Sequence, residues 1–186
     1  MTYFGVKRKA FISFHQKDRS EVDAFIDKWA SKEGLFNPKV LGISDNDDFI
    51  NSADPEYVMS RIREKYLSDS TVTIVLIGKC THSRRYVDWE IKASLRQGDY
   101  TPNGLLGILL ASQGNSAHLP QRFKDNWEQV ELNGYSRYRV YPANSQQLID
   151  WIEDAYNART ARAHLIQNGA DMMKYNGKCL VCGITH

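Results

Sequence analysis

The sequence predicts an α/β fold, a parallel sheet of about five strands with helices on both faces. Three observations carry it. Short apolar, strand-like runs alternate with helix-like stretches along the chain. The run from Thr71 to Ile77, TVTIVLI, is largely β-branched and apolar at nearly every position, as a strand buried between two helix layers must be. The run from Lys9 to Asp18, KAFISFHQKD, is a strand that breaks at once into a polar loop and a helix start, the junction where open α/β sheets place their ligands.

In order, Ala10, Phe11, Ile12 and Phe14 form the body of the first strand, and Asp18 followed by Glu21 has the spacing of a capping box. The stretch from Arg19 to Ser31 carries Val22, Phe25, Ile26 and Trp29 at helical spacing, and Gly34 closes it. A short second strand is expected over Lys39 to Ser44, followed by the acidic turn Asp45 to Asp48. Asp54-Pro55-Glu56 opens a second helix, with Tyr57, Val58, Ile62, Tyr66 and Leu67 on one face. After the strand at Thr71, a third helix spans Ser83 to Gln97 with Val87, Ile91 and Leu95 facing the sheet. Gly104 to Leu110 is a fourth strand and Arg137 to Tyr141 a short fifth, separated by a polar stretch expected to be a loop with a short helix. Asn144 and Gln147 cap a last helix that presents Leu148, Ile152, Ala155, Tyr156 and Arg159 and reaches to about Gln167. Five strands in this pattern give a flavodoxin-like, three-layer arrangement over residues 1–168, with 169–186 as a C-terminal tail.

Composition narrows the class. Apolar residues are 42% and charged residues 25% of the 186, the balance of an ordinary folded domain rather than a disordered chain. A net charge of +2 with dispersed Lys and Arg gives no nucleic-acid footprint. No apolar run is long enough to span a bilayer, and the N-terminus has no apolar signal-peptide core. Three cysteines argue against a disulfide framework. A reduced, cytoplasmic setting without nucleic-acid or membrane partners is the expectation.

In such a sheet the loops after the first three strands share one edge. They hold Ser13, Phe14, His15 and Gln16, then Ser44 to Asp48, then Lys79 to His82. The third helix starts beside this edge and carries Tyr86, Trp89 and Glu90. At 100° per residue, Glu90 falls on a flank of the Val87/Ile91/Leu95 stripe, facing either a pocket or water.

These residues resemble the Toll/interleukin-1 receptor (TIR) domain family. F-I-S-F…D at Phe11 to Asp18 is similar to its first box. S-R-R-Y-V-D-W-E-I at Ser83 to Ile91 is similar to the third-helix motif in which NAD-cleaving TIR domains carry an essential glutamate. The resemblance is closest to the bacterial ThsB branch of Thoeris antiphage systems. That branch shares Ser13-Phe14-His15, the strand and glycine from Thr71 to Gly78, and the R-R-(W/Y)-V-x-x-E pattern at Arg84 to Glu90. It implies NAD as substrate rather than cofactor, and cleavage of the nicotinamide–ribose bond to give an ADP-ribose-derived, cyclic or linear nucleotide signal. It also implies self-association and a separate effector protein that responds to the product. Glu90 would be catalytic, with Ser13, Phe14, His15, Asp45, Tyr86 and Trp89 contacting substrate. A non-catalytic TIR-like interaction module, or another nucleotide-binding flavodoxin-like protein, would use the same elements. No G-x-G-x-x-G follows the first strand, which disfavours a Rossmann dehydrogenase.

Plainer roles stand beside these. Glu90 could be a solvated helix carboxylate near Arg84 or Lys92, His15 a loop-bonding imidazole, Ser13 a satisfied strand end and Asp18 only a cap. The acidic turn lacks the glycine and terminal glutamate of a calcium loop. Cys179, Cys182 and His186 have ligand-like spacing, but a second pair is missing. Cys80 and His82 would complete a set only if the tail folded back to the third strand, so no metal is expected and the thiols are taken as a redox or unreactive pair.

Overall fold

The computed structural model describes residues 5–41, 54–127 and 134–185. Five strands, β1 (Arg8–Ser13), β2 (Phe36–Val40), β3 (Val72–Ile77), β4 (Gly104–Leu109) and β5 (Arg137–Arg139), form one parallel sheet in the order 2-1-3-4-5. The helices are α1 (Arg19–Ile26), α2 (Pro55–Ile62), α3 (Arg85–Ser94), α4 (Gln121–Asp125) and α5 (Ser145–Ala161). No helix among the described residues is long and apolar enough to cross a membrane.

The period-2 alternation of each strand sorts its side chains between two helix layers. Ala10, Ile12, Val72, Ile74, Leu76, Leu106 and Ile108 pack against Val22, Phe25 and Trp29 of the first helical segment and against Leu148, Ile152 and Ala155 of α5. On the opposite face, Val75, Ile77, Leu105 and Leu109 meet Val87 and Ile91 of α3, Leu95 at its C-terminal end, and Phe123 of α4. Phe11 meets Val58, Met59 and Ile62 of α2 together with Trp89 and Ala93 of α3. All six residues of β3 and all six of β4 are buried, consistent with central strands covered on both sides.

Several local expectations are corrected. β2 begins at Phe36, three residues ahead of the expected Lys39, and so includes Pro38. An edge strand tolerates a residue that cannot donate to a neighbour, and β2 is at the sheet edge. On α2 it is Met59 that faces the core, while Tyr57 is 51% exposed. α1 and α2 each run on into a wider π-type coil, over Asp27–Lys32 and Arg63–Leu67. α5 stops at Ala161, short of Gln167, and a single 3₁₀ turn follows. α3 is likewise shorter than Ser83 to Gln97. Two caps hold as read. Asn144 Oδ1 accepts the Gln147 amide at 2.9 Å, and Asp54 Oδ1 accepts the Glu56 amide at 3.0 Å. Asp18 precedes α1, but its side chain does not cap the helix. The acidic turn Asp45 to Asp48, and with it Asp45 as a contact, lies outside the described residues, as does His186.

The tail is part of the fold. After the turn at Ala163–Leu165 the chain crosses α4 and α3 and bonds to both. Asn126 Nδ2 donates to Gln167 O at 2.8 Å, and Arg122 Nη2 donates to Ala170 O at 3.1 Å and Asp171 O at 2.9 Å. The Trp89 indole N–H donates to Met173 O at 2.9 Å, and Asn176 Oδ1 accepts the first amide of α3, that of Arg85, at 3.0 Å.

Candidate active site around Glu90

β1 ends at Ser13, which by strand alternation shares the face of Phe11 and therefore points at α3. There its hydroxyl donates to Glu90 Oε2 at 2.5 Å, a contact buried from solvent. Glu90 is 5% exposed and Ser13 fully buried. The carboxyl is thus neither solvated nor paired with Arg84 or Lys92. Burial pushes it up to about 8, and the Ser13 hydroxyl pulls in the other direction. A carboxyl in that range changes charge near neutrality, which is where a tuned catalytic group would be placed.

A polar chain runs from Glu90 back through the helix. Ser94 Oγ donates to the Glu90 carbonyl at 2.8 Å and lies 2.7 Å from Thr73 Oγ1 on β3, which accepts Asn103 Nδ2 at 3.2 Å. This links the turn carrying Glu90 to the central strand. An open cleft lined by Ser70, Asn103, Arg63, Arg96 and Arg159 lies at the N-terminal ends of β3 and β4, opposite the strand end that holds Ser13, with Ser94 on its wall.

The loop after β3 reaches the loop after β1. Gly78 N donates to Thr81 Oγ1 at 2.9 Å, and Thr81 Oγ1 reaches toward Asp18 Oδ2 at 3.5 Å. Burial, reinforced by the nearby Glu21 carboxylate, raises the Asp18 carboxyl to about 6 despite that hydroxyl. The Asp18 carboxyl occupies the space beside Gly78: a Cβ there would sit 2.1 Å from Asp18 Oδ2, so a larger residue would force that side chain to move. Asp18 therefore joins the first and third loops instead of closing a helix end.

The other sequence-derived candidates divide. His15 is buried at the same strand end, and its carbonyl accepts the Asp18 amide at 2.8 Å. Phe14 packs with the core on the α1/α5 side of the sheet, the face away from Glu90, and its ring lies 6.0 Å from the Arg19 guanidinium carbon. Trp89 is 1% exposed and is a core residue pinned by the tail. Its ring meets Tyr86 edge-on at 5.3 Å, and the half-buried Tyr86 also lies under the Arg85 guanidinium at 5.0 Å. The structure thus brings Ser13 and Glu90 into contact and gives Trp89 a supporting place.

Sequence reasoning missed a buried ion pair on the same helix, facing α4 and the tail. Asp88 on α3 accepts Arg122 Nε of α4 at 2.8 Å, and the tail amide of Met173 donates to Asp88 Oδ2 at 2.9 Å. Arg122 and Asp88 are far apart in the chain and carry no local pattern. A buried arginine satisfied by one carboxylate and several carbonyls holds α3, α4 and the tail in one geometry.

A five-stranded parallel sheet in the order 2-1-3-4-5 with helices on both faces is the flavodoxin-type architecture of TIR-like domains. The chain belongs to the family described as "Thoeris protein ThsB, TIR-like domain", whose match covers residues 11–115. That span contains both Ser13 and Glu90. A relative from Bacillus cereus (strain MSX-D12), named "Putative cyclic ADP-D-ribose synthase ThsB1", is 24% identical over 188 aligned positions, covering 81% of this chain and 95% of the relative.

Proposed function

We propose that this protein cleaves the nicotinamide–ribose bond of NAD and releases an ADP-ribose-derived nucleotide, cyclic or linear, as a signal read by a separate effector protein in antiphage defence. The observation that carries the reading is the buried Ser13–Glu90 contact at the C-terminal edge of the sheet. Family membership and the relative's name support it.

The chemistry asks little of an acid. Nicotinamide in NAD is a cationic ring that leaves as a neutral molecule, so no proton need be delivered to it. Positive charge then develops on the ribose as the bond opens, and a carboxylate facing that carbon lowers the barrier. Glu90 would supply it. In the free protein, burial keeps much of the carboxyl protonated at neutral pH. A bound pyridinium cation favours the ionised form, so substrate itself helps set the charge needed for reaction. Ser13 would fix the carboxyl rotamer and oppose the desolvation. An acceptor on the ribose carbon completes the turnover. Water there gives a linear product, and a nitrogen of the adenine gives a cyclic one.

The test is incubation of the full chain with NAD, alone and with lysate of phage-infected cells, following nicotinamide release and nucleotide products by chromatography. The wild type should release nicotinamide and Glu90→Gln should not. Release by neither protein in either condition would overturn the cleavage reading. Equal release by both would remove Glu90 from the role.

A further inference from the structure

The tail poses an energetic problem. Its last segment is a small hairpin with one bridge between Lys178 and Thr185, and the Cys179 amide donates to Ile184 O at 2.9 Å. Its large apolar side chains point outward. Tyr175, Leu180, Val181 and Ile184 are 79%, 71%, 50% and 56% exposed. Isolated two-stranded hairpins are marginal in water even with a buried face. Here Cys179, at 1% exposure, is the buried anchor.

What it is anchored to is a cluster of thiols. The tail folds back so that Cys179 Sγ lies 3.2 Å from Cys80 Sγ in the loop after β3, and Cys182 Sγ lies 3.6 Å from Cys80 Sγ. All three sulfurs fall within 4.8 Å of one another. The first two separations exceed the ~2.05 Å of a disulfide. In a tetrahedron with metal–sulfur bonds of about 2.3 Å the edge is about 3.8 Å; the 3.6 Å separation is close to it, and the 3.2 Å one would open slightly around an ion. The local backbone has the form of a thiolate knuckle. Cys179-Leu180-Val181-Cys182-Gly183 turns tightly, with Gly183 at φ +73° and its amide donating to Cys179 O at 2.9 Å. The Cys182 amide points at Cys179 Sγ at 3.5 Å, an arrangement that favours sulfur in its anionic, metal-binding state. His82 stands beside the cluster, its Nε2 accepting the Leu180 amide at 3.0 Å.

We propose that Cys80, Cys179 and Cys182 bind one zinc ion, which fastens the C-terminal tail across the start of α3. Zinc replaces three thiol protons, and a water or a reoriented His82 imidazole fills the fourth position of the tetrahedron. A disulfide would join two of the sulfurs and leave the third crowded against them, whereas a soft cation uses all three. The role is structural. The Gly177 amide donates to Ser83 O at 2.8 Å and Asn176 caps α3, so a clamp at residues 179–182 holds the strap that positions the helix carrying Glu90.

The test begins with the metal content of the full-length protein, purified under reducing conditions without chelator and measured by mass spectrometry. About one zinc per chain is expected in the wild type, and its loss in Cys182→Ser and in Cys179→Ser. Because a serine variant could misfold, chelator-treated wild type is also titrated with cobalt(II). Saturation at one equivalent, with a sulfur-to-cobalt charge-transfer band and the intense visible bands of tetrahedral cobalt, supports the site. Tryptic cleavage after Lys174 and Lys178 should be faster in chelator-treated wild type than in the zinc form. A wild type free of zinc whose reduced form gives no thiolate–cobalt band would overturn the proposal, as would zinc content unchanged in Cys182→Ser.

Discussion

At the scale of single residues, the decisive feature is a carboxyl buried against the end of β1 and, among the described residues, answered there by the Ser13 hydroxyl. Because Glu90 sits near 8 rather than at its ordinary 4.5, the folded protein retains a proton that the unfolded chain has released across that interval. Its contribution to stability is greatest below about pH 4.5 and declines as pH rises toward 8. Glu90→Gln should therefore be more stable than wild type at pH 8, on the order of a few kcal/mol, with the difference vanishing near pH 4. Urea unfolding at the two pH values measures it. On the proposed cleavage of NAD, the same group should give kcat/KM an acid limb that levels off above about pH 8. The limb for kcat should lie lower, since the nicotinamide ring of the proposed substrate is cationic. Ser13→Ala removes the hydrogen bond that favours the ionised form, so the kcat/KM limb should move up by about one pH unit. A limb that stays in place would mean that Ser13 does not tune Glu90.

At the scale of elements, the junction between the first and third loops is a fitted contact. Gly78 admits the Asp18 carboxyl where any β-carbon would collide with it. Gly78→Ala should cost about 1–3 kcal/mol, as overpacking does. Asp18→Ala in the same chain should recover most of that loss, giving a strongly non-additive double-mutant cycle in chemical denaturation. Additive effects would show that the two loops do not press on each other. Asp18 also illustrates the limit of local pattern reading. Its spacing to Glu21 is that of a cap, yet a 3₁₀ turn over Gln16–Asp18 turns the side chain toward Thr81. The strands and helices themselves were legible because burial on two faces demands apolar periodicity, visible in β3 and in Val87 and Ile91 of α3. Boundaries such as Phe36 for β2 were not, since an edge strand admits polar residues and proline.

At the scale of the whole molecule, the C-terminal strap decides how α3 is held. Removing residues 169–186 would take partners from Asp88, Trp89, Arg122 and the first amide of α3. At about 1 kcal/mol per bond the truncated chain should lose on the order of 3–6 kcal/mol, measurable by urea unfolding. Unchanged stability would make the strap a passive appendage. The sequence by itself determined the layer architecture, the edge at which loops gather and the family motifs that single out Ser13 and Glu90, because these are written in local periodicity and short contiguous patterns. Tertiary structure alone decided that Glu90 is buried against Ser13, that Phe14 belongs to the other face and Trp89 to the core, that Arg122 answers Asp88, and that Cys80 meets Cys179 and Cys182. Each of those facts depends on which side of a sheet or helix meets a segment distant in the chain, and burial and charge at such contacts are properties of the packed molecule, not of any single stretch.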